Sequence, residues 1–213
     1  MVKRGDTLYS IAWRFGIDFR SLLKRNRITN PNLIFVGQKL NLELPSTAGR
    51  IVAIAPKPTN SKPAARSRTQ SPPASGSQTK SSRSQANRPA SKRLVWTWPT
   101  SGTVQPASSA LGTKGIEILG KPGQTVVAAA SGMVVYSGSG LRGYGQLIIV
   151  KHDEEFLSAY AHNDKLIVSE GVAVKQGQKI AEMGNSDAKR VMLHFEIRRD
   201  GKAVEPLQYL PPR

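Results

Sequence analysis

The chain has 213 residues, of which 38% are hydrophobic, and its formal net charge is +17 at pH 7. It has no cysteine, which excludes disulfides, Cys-ligated zinc and thiol catalysis, and no run approaches the roughly 20 apolar residues of a membrane helix. The hydrophobic fraction is modest for a single core of this size, so part of the chain is expected to be unfolded.

The positive charge lies mostly in the middle of the chain. Residues 46–93 carry 10 Lys and Arg and no Asp or Glu, residues 1–44 carry 8 against 3, and residues 94–213 carry 13 against 11. Such a balance suggests an anionic partner (nucleic acid, phosphorylated lipid or a carboxylate-bearing wall polymer), and a solvated tether with no dedicated partner is an equal alternative. The basic residues have no aromatic residues between them, so no specific nucleic-acid partner is expected.

The first 44 residues are predicted to fold as strand, helix, helix, strand. Asp6 or Thr7 can cap a first helix that stops at Gly16, and Asp18 can cap a second. The apolar stripe of the first helix is Leu8, Ile11, Ala12 and Phe15, and that of the second is Phe19, Leu22 and Leu23. A turn around Pro31 then leads into a strand over residues 39–42.

This segment resembles a LysM module over its whole length, through VKRGDTLYSIAWRFGI, SLLKRNRI and NPNLIFVGQKLNL. The resemblance implies contact with the N-acetylglucosamine-containing strands of peptidoglycan, in a shallow groove between two loops. It carries over to Gly5, Asp6, Thr7 and Leu8 on one side and to Asn30, Pro31, Asn32, Leu33 and Ile34 on the other. Core packing is an equal alternative for Leu8, Leu33 and Ile34. Modules of this family usually begin a few residues earlier, so the N-terminus is expected to be truncated.

Residues 45–93 form a Pro-, Ser-, Ala-, Gln-, Lys- and Arg-rich segment with almost no aromatic residues. Such a composition cannot bury enough apolar surface to offset the entropy of ordering. A disordered basic linker is therefore predicted here, with a short strand over residues 50–56 as an addition.

Residues 94–213 are predicted to form a mainly antiparallel β-sandwich or barrel, because short strand-like runs alternate with Gly-rich turns. Trp96 and Trp98 are predicted to anchor its first strand. The predicted runs are Ile116–Leu119, Thr125–Ala129, Met133–Ser137, Leu147–Lys151, Phe156–Ala161, Leu166–Ser169, Lys179–Met183 and Val191–Arg198.

Polar residues recur on single strand faces in this part, given the two-residue period of a strand. Thr113 and Glu117 are four apart, and the same spacing aligns Ser158, Tyr160 and His162. In the run RVMLHFEIRR the period places Met192, His194 and Glu196 on one face, and Val191, Leu193, Phe195 and Ile197 on the other.

These stretches resemble the lysostaphin/LytM family of zinc endopeptidases across nearly all of residues 95–210. The neighbouring Lys114-Gly-Ile-Glu-Ile, Gly143-Tyr-Gly and Leu193-His-Phe-Glu-Ile agree with the family as well. Active members take two zinc ligands from a His-x-x-x-Asp strand, a catalytic histidine from Tyr-Ala-His, and a further catalytic histidine and the third ligand from His-x-His. By this resemblance Thr113 and Glu117 stand at the first two ligand positions and Met192 at a catalytic histidine, while His162 and His194 persist.

The residues present do not suit catalytic zinc, which needs about three nitrogen, sulfur or carboxylate donors. A neutral Thr hydroxyl is a poor donor, and the longer side chain of Glu117 displaces its oxygens from where Asp would place them. The sequence therefore predicts a pseudo-enzyme with no catalytic residue, no metal and no cofactor. His152, next to Asp153, is expected to be solvated or locally hydrogen-bonded and not a ligand.

The order of LysM module, basic linker and degenerate LytM domain resembles the NlpD-type proteins of Gram-negative envelopes. That resemblance implies a periplasmic activator of a peptidoglycan amidase (AmiC-like) in septal wall splitting. It also implies anchoring to the outer membrane through a lipoprotein signal. Met1-Val-Lys-Arg has no apolar secretion segment, so that signal is expected to lie upstream. The expected partner groove comprises Thr113, Glu117, Arg142, Tyr144, His162, Lys189, Arg190, Met192 and His194. A weak zinc endopeptidase and a passive wall-binding scaffold are the alternatives.

Overall fold

The structure, a computed structural model, describes residues 1–31, 33–42, 94–107 and 114–213. Three predictions concern residues outside this set. They are the linker over residues 45–93 with its short strand, the glycan contact by Asn32, and the groove position of Thr113.

Two helices form the core of the N-terminal module, as predicted. Helix α1 (Leu8–Phe15) is capped by Thr7, whose side chain accepts from the Ser10 N–H, and it ends at Gly16 with φ of 62°. Helix α2 (Phe19–Arg25) is capped by Asp18, which accepts from the Ser21 N–H. The left-handed conformation at the end of α1 favours Gly at this position.

The two strands expected beside these helices do not develop among the described residues. The backbone of Val2 exchanges two hydrogen bonds, with Gln38 O at 2.9 Å and the Gly37 N–H at 2.8 Å. Among residues 1–31 and 33–42 no further pairing extends these two bonds into a ladder, so both described segments are irregular. The Asn26 side chain instead fixes residue 41, because it both accepts from and donates to the backbone of Asn41.

One prediction about α1 was wrong. Phe15, assigned to the apolar stripe, is 49% exposed, whereas Trp13, off that stripe, is 3% exposed. The module's own core contains Leu8, Ile11, Ala12, Ile17 and Leu22. Trp13 belongs to a different cluster and is buried by the C-terminal domain.

Within the described residues the C-terminal domain has ten strands, all paired antiparallel. They are β1 (Thr103–Pro106), β2 (Ile116–Leu119), β3 (Thr125–Val127), β4 (Gly132–Gly138), β5 (Gln146–Lys151), β6 (Phe156–Leu166), β7 (Ala173–Val174), β8 (Lys179–Met183), β9 (Met192–Arg199) and β10 (Lys202–Val204). The main order is β1-β2-β9-β6-β5-β4-β7, with β10 beside β9 and with β8 joining β6 to β3. A 3-10 helix, Pro206–Gln208, follows.

The predicted antiparallel domain is confirmed, with one local correction. The run Leu166–Ser169 is not a separate strand, because β6 continues to Leu166 and stops there. Trp96 and Trp98 come before β1 in the chain. They still anchor the segment, since Trp96 lies in the main core and the Trp98 indole N–H donates to Pro211 O at 2.9 Å.

The sheet buries residues on both sides, and β9 shows the division. We call the side that carries Leu193, Phe195 and Ile197 the core face, because these residues join the main apolar cluster with Ile116, Ile118 and Tyr160. We call the side that carries His194, Glu196 and Arg198 the module face.

The N-terminal module covers part of the module face, and the two parts form one compact unit. The Trp13 ring meets the Tyr144 ring edge-on at 6.5 Å, and the Arg198 guanidinium stacks 3.7 Å from the centre of the Trp13 ring. Thr7 Oγ1 donates to Val135 O at 3.4 Å. An aromatic side chain of this size removes about 150–250 Å² from water when buried, so the contact is a substantial source of stability. No helix in the described part of the chain is long and apolar enough to cross a membrane.

Candidate functional site

Strand pairing brings the predicted groove residues together at one end of β2, β9 and β6. Glu117 lies opposite His194, and His194 lies opposite Ala161, the neighbour of His162. The rings of His162 and His194 are 6.1 Å apart, centre to centre. The sheet therefore brings Glu117, His162 and His194 of the predicted groove together.

His162 reaches this groove in a way that the alternation rule did not predict. Tyr160 points into the core face, so a regular strand would send His162 there too. Instead the pairing of β5 and β6 gains an extra residue between Tyr160 and Asn163, and His162 has φ of 64°. The bulge turns the imidazole to the module face, against His194; re-aiming one side chain is a common use of bulges. The predicted alignment of Ser158, Tyr160 and His162 was wrong for this reason.

His162 is held as a neutral, oriented ring. Its Nδ1 lies 2.8 Å from Ser186 O, so Nδ1 carries the proton and donates. Its backbone N–H donates to Tyr144 O at 2.9 Å, which supports the unusual backbone angle. Burial lowers the pKa of His162 below its ordinary value.

Glu117 is buried and engaged in an ion pair. Its Oε2 accepts from Arg190 Nη2 at 2.8 Å and from Gln105 Nε2 at 2.7 Å, and its side chain is 2% exposed. The cation that neutralises this carboxylate is therefore a guanidinium from the chain itself. A metal ion at Glu117 would have to displace Arg190 or tolerate its charge at close range.

His194 is almost fully buried, and its Nε2 has no hydrogen-bond partner among the described residues. Nε2 lies 3.6 Å from Glu196 Oε2, beyond hydrogen-bonding length. The ring packs edge-on against Tyr144 at 6.0 Å. Gly115 closes the other side, since a Cβ at that position would fall 2.5 Å from His194 Cε1.

Glu196 continues this buried polar line toward the module. Its Oε1 accepts from Arg198 Nε at 2.7 Å and its Oε2 from the Tyr144 hydroxyl at 3.4 Å. Burial alone would raise the pKa of Glu196, but His194 and Arg198 beside it hold it below the ordinary value. Burial and the Glu196 charge raise the pKa of Tyr144 to about 12. Arg198 also donates to the backbone oxygen of Trp13, which links the groove to helix α1.

The predicted partner surface divides into a closed floor and an accessible rim. Glu117, Tyr144, His162, Met192 and His194 are buried, with Met192 8% exposed and Tyr144 7% exposed. The exposed rim residues are Arg142, Lys189 and Arg190. Among the described residues, no group of three or more His, Cys, Asp or Glu side chains could hold a metal ion. The donors present do not fit the zinc site that the LytM resemblance implies.

His152 lies away from this groove. Its Nδ1 lies 2.9 Å from Ser131 O and its Nε2 lies 2.7 Å from Ser158 Oγ. The expected local hydrogen bonding of His152 is thus confirmed. Burial lowers the pKa of His152 to about 4.

The predicted glycan residues of the module lie in different environments. Leu8 is fully buried in the module core, so core packing accounts for it. Ile34 is half-buried against the same core, and Leu33 is 60% exposed. Gly5 and Asn30 lie in the turns. The remaining described residues, Asp6, Thr7 and Pro31, line a cleft together with Ile34.

Trp13 and Arg198 were missed by sequence reasoning, although together they join the module to the sheet. One signal was available for Trp13, because a large apolar residue off the amphipathic stripe must find a second partner or stay exposed. No comparable signal existed for Arg198, since a strand-end arginine is usually solvated.

Both parts of the molecule match known protein families. Residues 1–43 match the LysM domain and residues 112–206 match Peptidase family M23. A crystal structure described as a peptidase M23 of Pseudomonas aeruginosa has the same fold, with a TM-score of 0.51 and 22% identity over 55% of this chain and 51% of that one. The fold and the groove thus define an M23-type domain joined to a LysM module.

Curated relatives are similar to this chain over its whole length. The chain is 51% identical over its full length to "Lipoprotein NlpD/LppB homolog" of Pseudomonas aeruginosa, covering 77% of that protein. It is 44% identical over its full length to "Murein hydrolase activator NlpD" of Escherichia coli K12, covering 67% of it. The chain belongs to the NlpD family.

Proposed function

We propose that this chain is a non-catalytic activator of a peptidoglycan amidase, an N-acetylmuramoyl-L-alanine amidase, in septal wall splitting and cell separation. The observation that carries the proposal is the ion pair between Glu117 and Arg190 at 2.8 Å. By the LytM resemblance, Glu117 stands where active peptidases of that family have a zinc ligand. The similarity to a relative named murein hydrolase activator supports the same role.

The ion pair between Glu117 and Arg190 argues against zinc catalysis in this groove. Zinc catalysis requires an ion that lowers the pKa of a bound water to about 7 and polarises the scissile carbonyl. With Glu117 neutralised by Arg190 and with Met192 near His194, the groove offers imidazoles but no ligand set. A neutral imidazole such as His162 cannot supply the missing Lewis acid.

The rim of the groove provides the proposed docking surface. Arg142 and Lys189 are exposed and form no ion pair within the described residues, whereas the half-exposed Arg190 is paired with Glu117. Two exposed cations without an ion pair among the described residues, Arg142 and Lys189, favour an acidic partner segment. To shift an autoinhibited amidase about a thousandfold toward its open state, this surface must bind the open state about 4 kcal/mol more tightly than the closed one.

The N-terminal module is proposed to determine where the chain acts. The LysM module is proposed to hold the chain on glycan strands of peptidoglycan, and relatives named lipoproteins support a place in the Gram-negative envelope. Anchoring to the inner leaflet of the outer membrane, and an AmiC-like identity for the amidase, belong to the same proposal.

Dye release from labelled peptidoglycan tests the proposal. The chain should release no dye by itself and should accelerate release by the amidase. Lys189→Glu and Arg142→Glu should each reduce the acceleration about tenfold, since reversing a charge at a complementary surface costs more than 1 kcal/mol. Lys175→Glu, an equally exposed cation in the turn between β7 and β8, is the matched control and should have no effect.

Two outcomes would contradict the proposal. Dye release by the chain alone that needs added zinc would identify a weak endopeptidase. An amidase rate that the chain leaves unchanged would identify a passive scaffold.

A further inference from the structure

A cleft of about 780 Å³ lies between the N-terminal module and the C-terminal domain. One wall carries Asp6, Thr7, Pro31 and Ile34, the residues to which the LysM resemblance assigns glycan contact. The other wall is made by the start of β4, the end of β5 and residues 170–173. The volume lies within the 300–1,000 Å³ typical of ligand sites, which often form between domains.

We infer that the glycan strand is bound by both walls at once, so that the C-terminal domain forms half of the glycan site. The inference rests on the proposed glycan binding by the module and adds a second surface to it. The chemical class of ligand is an uncharged oligosaccharide of N-acetylated glucosamine units.

The second wall has the mixture of groups that sugars require. Met133 is 50% exposed and offers a flexible apolar surface for the C–H face of a sugar ring. Glu170 and Lys151 provide acceptors and donors for hydroxyl and N-acetyl groups. Tyr9 also lines the cleft, and its ring is held by stacking on Phe19 at 3.7 Å.

The charges in the cleft select a neutral ligand. Lys151 lines it together with Asp6, Asp153, Glu154 and Glu170. Asp6 is paired with Arg14 at 2.9 Å and Glu154 with Arg20 at 2.8 Å. Asp153 and Glu170 are therefore the lining carboxylates that form no ion pair within the described residues. Lys151 is itself paired with Glu154 at 3.0 Å, so it is not available to a ligand carboxylate without losing that pair. The carboxylates of the stem peptides of peptidoglycan would be repelled here, whereas sugar hydroxyl groups can donate to the acidic side chains.

The cleft exists because the module is docked on the sheet. Thr7 both lines the cleft and donates to Val135 O across it. Trp13 and Arg198 hold the same interface from the groove side. A glycan that touches both walls binds only the docked arrangement and therefore stabilises it, by linkage.

Calorimetric titration of the full chain with an N-acetylglucosamine tetramer tests the two-wall site. Met133→Glu changes the second wall alone, and it should weaken binding about three- to tenfold, the size expected for loss of one apolar contact. Ile167→Glu is the matched control, because Ile167 is similarly exposed at 44% and lies outside the cleft. It should leave the affinity unchanged.

Amide signals in ¹⁵N-labelled protein provide a second readout that does not depend on a variant. The tetramer should shift Gly132, Gly171 and Ala173 in the second wall and leave Gly123, in the turn between β2 and β3, unmoved. Binding with shifts confined to the module, and with full affinity in Met133→Glu, would overturn the two-wall site while leaving glycan binding by the module intact. No binding by the unaltered chain would overturn both.

Discussion

The two faces of the sheet bury polar groups in different ways. On the core face the chain of Ser158, Tyr160 and His152 is neutral, and the Tyr160 hydroxyl accepts from the Ala129 N–H at 2.8 Å. On the module face Glu196 and Arg198 form an ion pair. The Arg198 guanidinium is covered by the ring of Trp13, which belongs to the N-terminal module. The C-terminal domain completes the first network by itself, whereas the second network needs the module.

The difference matters for function, because the charged network runs from Glu196, 3.6 Å from the buried His194 ring, through Arg198 to helix α1. A protein that loses a metal site must still neutralise or pair the polar groups left behind, since unpaired buried charges are costly. Here Arg190 neutralises Glu117, and Arg198 neutralises Glu196. The module thereby becomes part of what stabilises the groove.

Removing Trp13, which anchors the module on the sheet, should have the largest effect on the free energy of unfolding. Trp13→Ala should lower the free energy of unfolding by about 3–5 kcal/mol, because a large buried ring leaves a cavity and uncovers Tyr144 and Arg198. Phe15→Ala is the matched control on the same helix; Phe15 is half-exposed, so its loss should cost less than about 0.5 kcal/mol. Urea unfolding followed by circular dichroism measures both. Equal losses in the two variants would show that Trp13 is not an interface anchor.

Breaking the ion pair between Glu196 and Arg198 should lower the free energy of unfolding by about 3 kcal/mol. Arg198→Met leaves the Glu196 carboxylate buried without its cation, which is more damaging than removing both charges. The double variant with Glu196→Gln should therefore recover part of the loss. In the single variant the pKa of Glu196 should rise, so the penalty should be larger at pH 8 than at pH 5.

A conservative change on the core face supplies the contrast. Ile197→Val, next to Glu196 on β9, should cost about 0.5–1.5 kcal/mol at every pH and gain nothing from Glu196→Gln. A pH-independent cost for Arg198→Met with no recovery in the double variant would contradict the ion-pair account.

The neutral network of His152, Ser158 and Tyr160 should make a smaller contribution to the free energy of unfolding, and this contribution should depend on pH. His152 has a pKa of about 4 when folded, below its ordinary value of 6.5, so folding favours the neutral ring. This contribution is complete above pH 6.5 and is lost as the pH falls toward 4; it amounts to at most about 3 kcal/mol. His152→Gln keeps a neutral hydrogen-bonding side chain and should flatten the decline of stability across this window. An unchanged slope in urea titrations at these pH values would refute the assignment.

Sequence reasoning was most successful where a local rule decides the outcome. Thr7, Gly16 and Asp18 end or begin their helices as the capping rules predict, and alternation along β9 separates His194 from Leu193 and Phe195.

It was less successful where two distant parts of the chain compete for one residue. The extra residue in β6 that turns His162 is set by pairing with β5, which no alternation rule contains. The burial of Trp13 depends on a surface more than a hundred residues away. For the same reason the pairing of Glu117 with Arg190 could not be derived from their spacing.

The most direct test of the central claim is amidase stimulation by chelator-treated chain, measured by dye release with and without added zinc. The account predicts the same stimulation in both conditions and no release by the chain alone, because Arg190 already neutralises Glu117. Stimulation that appears only with zinc, or release by the zinc-loaded chain in the absence of amidase, would contradict it.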